Sequence, residues 1–185
     1  NTDVSGFLAP LAELRESIRD RSAVILGAGG AARAVLYACY TSLRPSQVTI
    51  VARTPARAEK MIEALSHSRS NTRMSVVTFD DAQSAVADAA LIVNTTPVGT
   101  YPGVHATPWM HLDSFRSGQI VYDVVYNPLK TRLLRDAESR GATVLNGMEM
   151  LLAQAAAAHT LWTGLRMPVD EVRERILHEL SRRHR

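Results

Sequence analysis

Residues 22–34 read Ser-Ala-Val-Ile-Leu-Gly-Ala-Gly-Gly-Ala-Ala-Arg-Ala. An apolar run, Ala23 to Leu26, stops at a glycine cluster that opens into an alanine-rich helical segment. The spacing Gly27, Gly29, Ala32 fits the G-x-G-x-x-G/A fingerprint of a dinucleotide-binding turn. Gly27 permits the tight turn, Gly29 lets the backbone approach a pyrophosphate, and Ala32 keeps helix and strand close. Unpaired N–H groups at the helix start, together with its dipole, favour phosphate charge. The cluster follows a buried-strand pattern and precedes a helix pattern, which is the context the fingerprint requires.

The next apolar run, Val48-Thr49-Ile50-Val51, is rich in β-branched residues and has the length of a parallel strand. In NAD-binding units an acid near the end of this strand accepts hydrogen bonds from the ribose 2′-hydroxyl. Here the chain reads Ala52-Arg53-Thr54-Pro55-Ala56-Arg57, with no acid. Two guanidinium groups and a hydroxyl suit a 2′-phosphate, because Arg meets phosphate through a planar, charge-assisted fork. The alternative is an ordinary solvated loop and helix start, but basic residues in a first helical turn oppose its dipole. The pattern points to NADP rather than NAD.

Size and composition bound the rest. The chain has 185 residues, enough for one good core or one domain with an appendage. Hydrophobic residues make up 46% and charged residues 21%, the balance of a globular protein. No apolar run approaches the roughly 20 residues that cross a bilayer, and no secretory signal is visible, so neither a membrane nor an export role is expected. The single cysteine, Cys39, excludes an internal disulfide and fits a cytoplasmic setting; within the first helix it reads as a buried small residue. A net charge of +3 is too small to argue for nucleic acid, and the Arg182-Arg183-His184-Arg185 end reads as a solvated tail. The chain opens on Asn1 rather than methionine, as a piece of a longer protein would.

Strand-like and helical runs alternate. Helical spacing of Phe7, Leu8, Leu11, Leu14 and Ile18 predicts a helix over 5–20. Strands are expected near 22–27, 48–52, 74–79, 90–94, 119–125 and 143–145. Helices are expected at 30–43, 55–66, 81–87, 129–140, 148–163 and from Pro168 onward, the last carrying Val169, Val172, Ile176, Leu177 and Leu180. Prolines and glycines make 95–108 a loop. Six strands with intervening helices imply an α/β, doubly wound parallel sheet of Rossmann type, with helices on both faces. Its ligands lie beyond the carboxyl ends of the strands, where the Gly27, Arg53, Asn94 and Val125 turns meet.

Several further stretches, taken in order, resemble the shikimate dehydrogenase family. They are Asn1-Thr2-Asp3, Gly27 to Ala34, Arg53-Thr54-x-x-Arg57, Val93-Asn94-Thr95-Thr96-Pro97-Val98-Gly99, Asp123 to Leu129, and Gly147-Met148-x-Met150-Leu151-Leu152-x-Gln154. Together they span nearly the whole chain. The resemblance implies NADPH-dependent reduction of 3-dehydroshikimate to shikimate, in aromatic amino acid biosynthesis, by a monomer or homodimer. It implies that Asp3 is the catalytic aspartate and that Thr2, Tyr126 and Gln154 meet substrate. Gly29, Gly30 and Ala31 fall on the phosphate turn, and Arg53, Thr54 and Arg57 on the 2′-phosphate clamp. Thr95, Thr96, Pro97, Val98 and Gly147 fall where the backbone meets the nicotinamide half. Ala52 stands where the family commonly has Asn. The family's N-terminal substrate domain, with its carboxylate contacts and essential lysine, has no counterpart here: neither Lys60 nor Lys130 matches that motif. The implied organisation is a linking helix over 1–20, an NADP-binding domain over 21–146, and C-terminal helices over 147–185 that return toward the substrate domain.

Read without the resemblance, several of these residues have second roles. Asp3 suits a helix cap. A buried Gln154 amide needs a partner, from ligand or from backbone. Tyr126 suits packing against the next helix as well as a site at a strand end. Asp123 reads as a partner for nearby backbone N–H groups, His159 as a packed residue, and Trp109 and Trp162 as core or interdomain contacts. The six histidines, His67 and His184 among them, share no metal-ligand spacing, so no metal is expected. Two other readings remain: a non-catalytic nucleotide-sensing or interaction module on the same scaffold, and a related enzyme, either a quinate/shikimate dehydrogenase paralogue or a two-domain methylene-tetrahydrofolate dehydrogenase.

Overall fold

The computed structural model describes residues 1–65 and 71–183. Its sheet has six parallel strands: β1 (Ser22–Leu26), β2 (Gln47–Val51), β3 (Arg73–Val77), β4 (Leu91–Asn94), β5 (Ile120–Asp123) and β6 (Thr143–Leu145). Their order is β3-β2-β1-β4-β5-β6, so the chain reverses direction of growth between β1 and β4. This is the doubly wound arrangement that the alternating pattern predicts.

The four inner strands, β1, β2, β4 and β5, are buried on both faces because both faces are covered, whereas the edge strands β3 and β6 are only half-buried. Successive side chains alternate, so Ile25 joins a core layer with Phe7, Leu11, Leu36 and Ile50, while Leu26 joins the opposite layer with Val51, Ile92, Val121 and Leu133. Burying each such side chain contributes about 1.5–3 kcal/mol. The helices are α1 (Thr2–Leu8), α2 (Gly30–Ala38), α3 (Pro55–Glu63), α4 (Gln83–Asp88), α5 (Arg132–Glu138), α6 (Met148–Thr163) and α7 (Val169–Arg183). Register brings the strand ends level: Leu26 pairs with Val51 and Asn94, Val51 with Val77, and Asn94 with Asp123. The loops that follow all leave the sheet at one edge.

Three segments depart from the periodicity. The expected 5–20 helix starts earlier and breaks: α1 gives way to a 3-10 stretch over Ala9–Ser17. Pro10 has no N–H to donate and its ring crowds the preceding turn, so the α-helix cannot continue through it. The 30–43 helix is α-helical to Ala38 and closes in a π-turn over Cys39–Leu43, with Arg44 left-handed (φ 51°) before Pro45. The residue before a proline is disfavoured in the right-handed helical region. The helix expected from 129 begins at Arg132, because the Thr131 side chain caps it by accepting from the Leu134 N–H at 3.4 Å. α3 closes at Glu63, and Ala64 and Leu65 turn out of the helix expected to run on; Ser66, its expected last residue, and His67, His184 and Arg185 lie outside the described residues.

α1 packs closely on α6. A Cβ at Gly6 would lie 2.8 Å from both the Gln154 Cβ and the Met150 carbonyl oxygen, so only glycine allows this approach. Next to it, the Phe7 ring stacks on Tyr122 of β5 at 5.1 Å and 11°. α1 is thereby held to the sheet and to α6 together. On α7, Val169, Val172, Ile176 and Leu180 are half-buried and Leu177 is exposed.

Candidate functional site

A cavity of about 810 Å³ opens at the carboxyl edge of the sheet, within the size range of ligand sites. The fingerprint turn forms its floor, with Gly27, Ala28 and Gly29 in the lining. Gly27 has φ +108°, and a Cβ there would sit 2.8 Å from Thr95 Oγ1. It needs glycine both for its backbone and for close approach of the β4 loop. Gly29 differs: a Cβ on Gly29 or on Gly30 would meet nothing within 4 Å. These two glycines leave an open approach to the start of α2, whose first N–H groups carry no side-chain cap. Ala32 is fully buried against the strand.

The turn after β2 supplies Arg53 and Thr54 to the same cavity, and the first turn of α3 supplies Arg57. All three are exposed, and neither guanidinium hydrogen-bonds or ion-pairs with a described residue. α3 begins with Pro55 and has no acid in its first turn, so nothing there neutralises its N-terminal dipole. The arrangement suits a phosphate group. The end of β3 adds Thr78, Phe79 and Asp80, and the loop after β4 adds Thr95, Thr96, Pro97 and Val98, with Thr107 and Pro108 beyond it. The β3 residues escape the sequence motifs. Their signal is the register, which ends β3 level with β2.

Under the β4 loop lies a buried polar network. The Asn94 amide donates to Asp123 Oδ1 at 2.9 Å, and its oxygen accepts from the Thr96 N–H (2.9 Å) and hydroxyl (2.7 Å). The Val98 N–H donates to Thr96 Oγ1 at 3.3 Å. Asp123 also accepts from the Val125 N–H (3.1 Å) and the Thr131 hydroxyl (2.7 Å). Burial pushes the Asp123 carboxyl up to about 6, against the three donors that favour its charged form. The expected role of Asp123 toward backbone N–H groups is met at Val125. Asn94 and Thr131 as its partners are visible only once the strands are paired.

The other expected site residues fall outside the cavity lining, and Gly30 and Ala31 are among them. Gly147, buried at the start of α6, donates to the Val125 carbonyl at 3.0 Å. A Cβ on it would lie 2.0 Å from the Val124 carbonyl oxygen. Tyr126 follows β5 and is 44% exposed, so it is not packed under a helix. Thr2 and Asp3 are half-buried on α1. The cap of that helix is Asn1, whose side chain accepts from the Asp3 N–H at 2.9 Å; Asp3 is inside the first turn and does not cap it. The Asp3 carboxylate bonds to no described residue. Gln154 donates to its own helix, at Leu151 O (3.1 Å), and packs beside Gly6, one turn along α1 from Asp3.

Elsewhere, Cys39 is buried, and burial pushes its thiol up to about 12, as an inert core thiol requires. His159 ties the turn after α6 through the Leu165 carbonyl at 3.1 Å. Trp109 is core, whereas Trp162 is 86% exposed. Among the described residues no cluster of three or more His, Cys, Asp or Glu could hold a metal ion, and no helix is long and apolar enough to cross a membrane.

Comparisons with known proteins place the chain in a family. The model of the family described as Shikimate / quinate 5-dehydrogenase matches residues 11–108, and that of the Shikimate 5′-dehydrogenase C-terminal domain matches 147–177. Shikimate dehydrogenase (NADP(+)) of Moorella thermoacetica is 48% identical over 181 residues, covering 97% of this chain and 60% of the relative. Shikimate 5-dehydrogenase of Thermus thermophilus, solved with NADP(H) and shikimate, superposes with a TM-score of 0.74 at 35% identity, covering 99% of this chain and 62% of that one. Quinate dehydrogenase of Corynebacterium glutamicum, solved with NAD, gives 0.84 at 31% identity, covering 96% and 62%. The chain thus spans about three-fifths of the length of these relatives. With a family match over more than half of its residues, joined to the Moorella relative along almost its full length, the chain belongs to the shikimate / quinate 5-dehydrogenase family.

Proposed function

We propose that the chain binds NADP(H), and that in a complete protein it serves as the cofactor domain for reversible reduction of 3-dehydroshikimate to shikimate. One observation carries the cofactor choice: Arg53 and Arg57 line the cavity at the end of β2, unpaired, where an NAD site would place an acid. In this reading Gly27, Gly29, Gly30 and Ala31 receive the pyrophosphate, Arg53, Thr54 and Arg57 the 2′-phosphate, and Thr95 to Val98 with Gly147 the nicotinamide half. Residues 21–146 form the NADP domain, 1–20 the link to a substrate domain, and 147–185 the helices that pack back toward it. The setting is cytoplasmic, as a monomer or homodimer.

NADPH supplies the hydride when bound. The chain's own part is to place the carbonyl and to manage the proton that the developing alkoxide takes up. Asp3 is the group for this: its carboxylate is not engaged as a cap, and it sits on the helix that carries Gly6 against Gln154. Thr2, Tyr126 and Gln154 contact substrate hydroxyls. Half of such a site lies in a substrate domain, so this chain alone turns over little or nothing.

The cofactor reading is tested by titrating NADPH and NADH separately against the chain by fluorescence; tighter binding of NADH would reject it. Asp3→Asn in a full-length protein is expected to lower kcat about 10²–10⁴-fold, the usual worth of a positioned acid–base group, with the NADPH Kd unchanged. Steady-state rates across pH check this, and wild-type turnover with an unaltered pH profile would reject the assignment.

A further inference from the structure

We propose that Asp123 is a positioning residue for the nicotinamide half of the dinucleotide, fixing the loop after β4 and the loop after β5 against each other. The inference rests on the dinucleotide reading above. In a doubly wound sheet the β1–β3 half takes the adenosine side and the β4–β6 half the nicotinamide side. The two loops in question are the ones that leave β4 and β5, and they start from the paired residues Asn94 and Asp123.

The chemistry of the pair explains its hold. An ionised carboxylate only accepts hydrogen bonds. Facing Asn94 at 2.9 Å, it admits the amide NH₂ and excludes the amide oxygen. The oxygen is thereby turned toward Thr96, where it takes both the N–H and the hydroxyl. The Thr96 oxygen in turn accepts from the Val98 N–H. Asp123 thus selects which way Asn94 points, and Asn94 shapes the cavity-lining turn. The same Oδ1 accepts from the Val125 N–H at 3.1 Å and sets the start of the second loop. That loop then receives the Gly147 N–H on the Val125 carbonyl. Asn94 and Asp123 are both 0% exposed, so water does not stand in for any of these contacts.

Strand pairing does not need these side chains. The backbones of β4 and β5 pair in register, with the Val124 N–H donating to the Asn94 carbonyl at 3.0 Å. Two apolar residues would fill the sheet there without desolvating an amide and a carboxylate. What the polar pair adds is the shape of the two loops.

The test titrates two ligands against the wild-type chain, Asp123→Ala and Asp123→Asn at pH 7.5: NADPH, and 2′,5′-ADP, which carries the adenosine half alone. Asp123→Ala removes the acceptor and is expected to weaken NADPH about tenfold or more, the usual consequence of freeing buried donors. Its 2′,5′-ADP affinity should stay within about twofold of wild type. Asp123→Asn restores most of the loss, because its amide oxygen can accept from Asn94 and Val125 while its NH₂ turns to Thr131. Equal weakening of both ligands, or no loss of NADPH affinity, overturns the proposal. If Asp123→Ala does not fold, Asn94→Ala cuts the same link from the other side and must show the same split. A wild-type chain that binds neither ligand would sink the NADP reading itself, a result separable from every outcome that concerns Asp123 alone.

Discussion

Replacing Arg53 and Arg57 together with alanine is expected to cost NADPH affinity at least about a hundredfold while leaving NADH affinity almost unchanged. Hydrogen bonds to charged groups contribute about 1.5–3 kcal/mol each, and every 1.4 kcal/mol is about tenfold in Kd. Two guanidiniums on one phosphate therefore carry about 3–6 kcal/mol, and solvent exposure pulls the sum toward the lower figure. Neither side chain bonds to another described residue, so their removal breaks no internal hydrogen bond or ion pair and the melting temperature should hold. The selectivity is the informative part. A general loss of positive charge would weaken both cofactors in proportion to their charge, whereas a 2′-phosphate clamp affects NADPH alone. Fluorescence titration of both cofactors against wild type and the double variant decides between them. Parallel losses for NADPH and NADH would remove the clamp.

How much of this was legible in the chain depends on the range of the interaction. The strands could be read because a parallel strand buried on both faces is a short apolar run, and Ala23 to Leu26 or Leu91 to Val93 is nothing else. The fingerprint could be read because Gly27 and Gly29 stand next to the elements they serve. Apolar spacing over Phe7 to Ile18 predicts one α-helix, and the structure departs from it because a single residue, Pro10, breaks the hydrogen-bond ladder locally. The arginines were legible by their place after β2 and by the acid missing there. Phe79 and Asp80 were not, because their membership of the cavity follows from β3 ending level with β2. The Asn94–Asp123 contact needs the pairing of β4 with β5, which no local pattern specifies.

Gly147 shows the same division from the other side, and it carries the second large expected effect. Its φ is −76°, which any residue adopts, so nothing in its own backbone asks for glycine, and the family resemblance was the one signal in the sequence. The requirement comes from the loop after β5: an added Cβ would lie 2.0 Å from the Val124 carbonyl oxygen and 2.5 Å from its carbon. These are backbone atoms, held by the Gly147 N–H on the Val125 carbonyl and by the Val125 N–H on Asp123, so no side-chain rotation relieves the clash. Gly147→Ala must displace the loop. Overpacking of this kind costs about 1–3 kcal/mol or more, which for a chain of this size lowers Tm by roughly 2–4 °C per kcal/mol. Thermal melts should therefore show a drop of several degrees, and NADPH binding, measured well below the transition, should weaken as well. Gly29→Ala is the matching control. Its Cβ meets nothing within 4 Å, so Tm should fall only by what alanine costs at the N-cap of α2, less than for Gly147→Ala, yet NADPH binding should fall because the methyl group occupies the approach to the start of α2. The two glycines then separate cleanly: one is required by the protein's own backbone, the other by the ligand. A Gly147→Ala chain that melts with the wild type would show that the β5 loop yields freely, and the account of that loop as held against the start of α6 would fall with it.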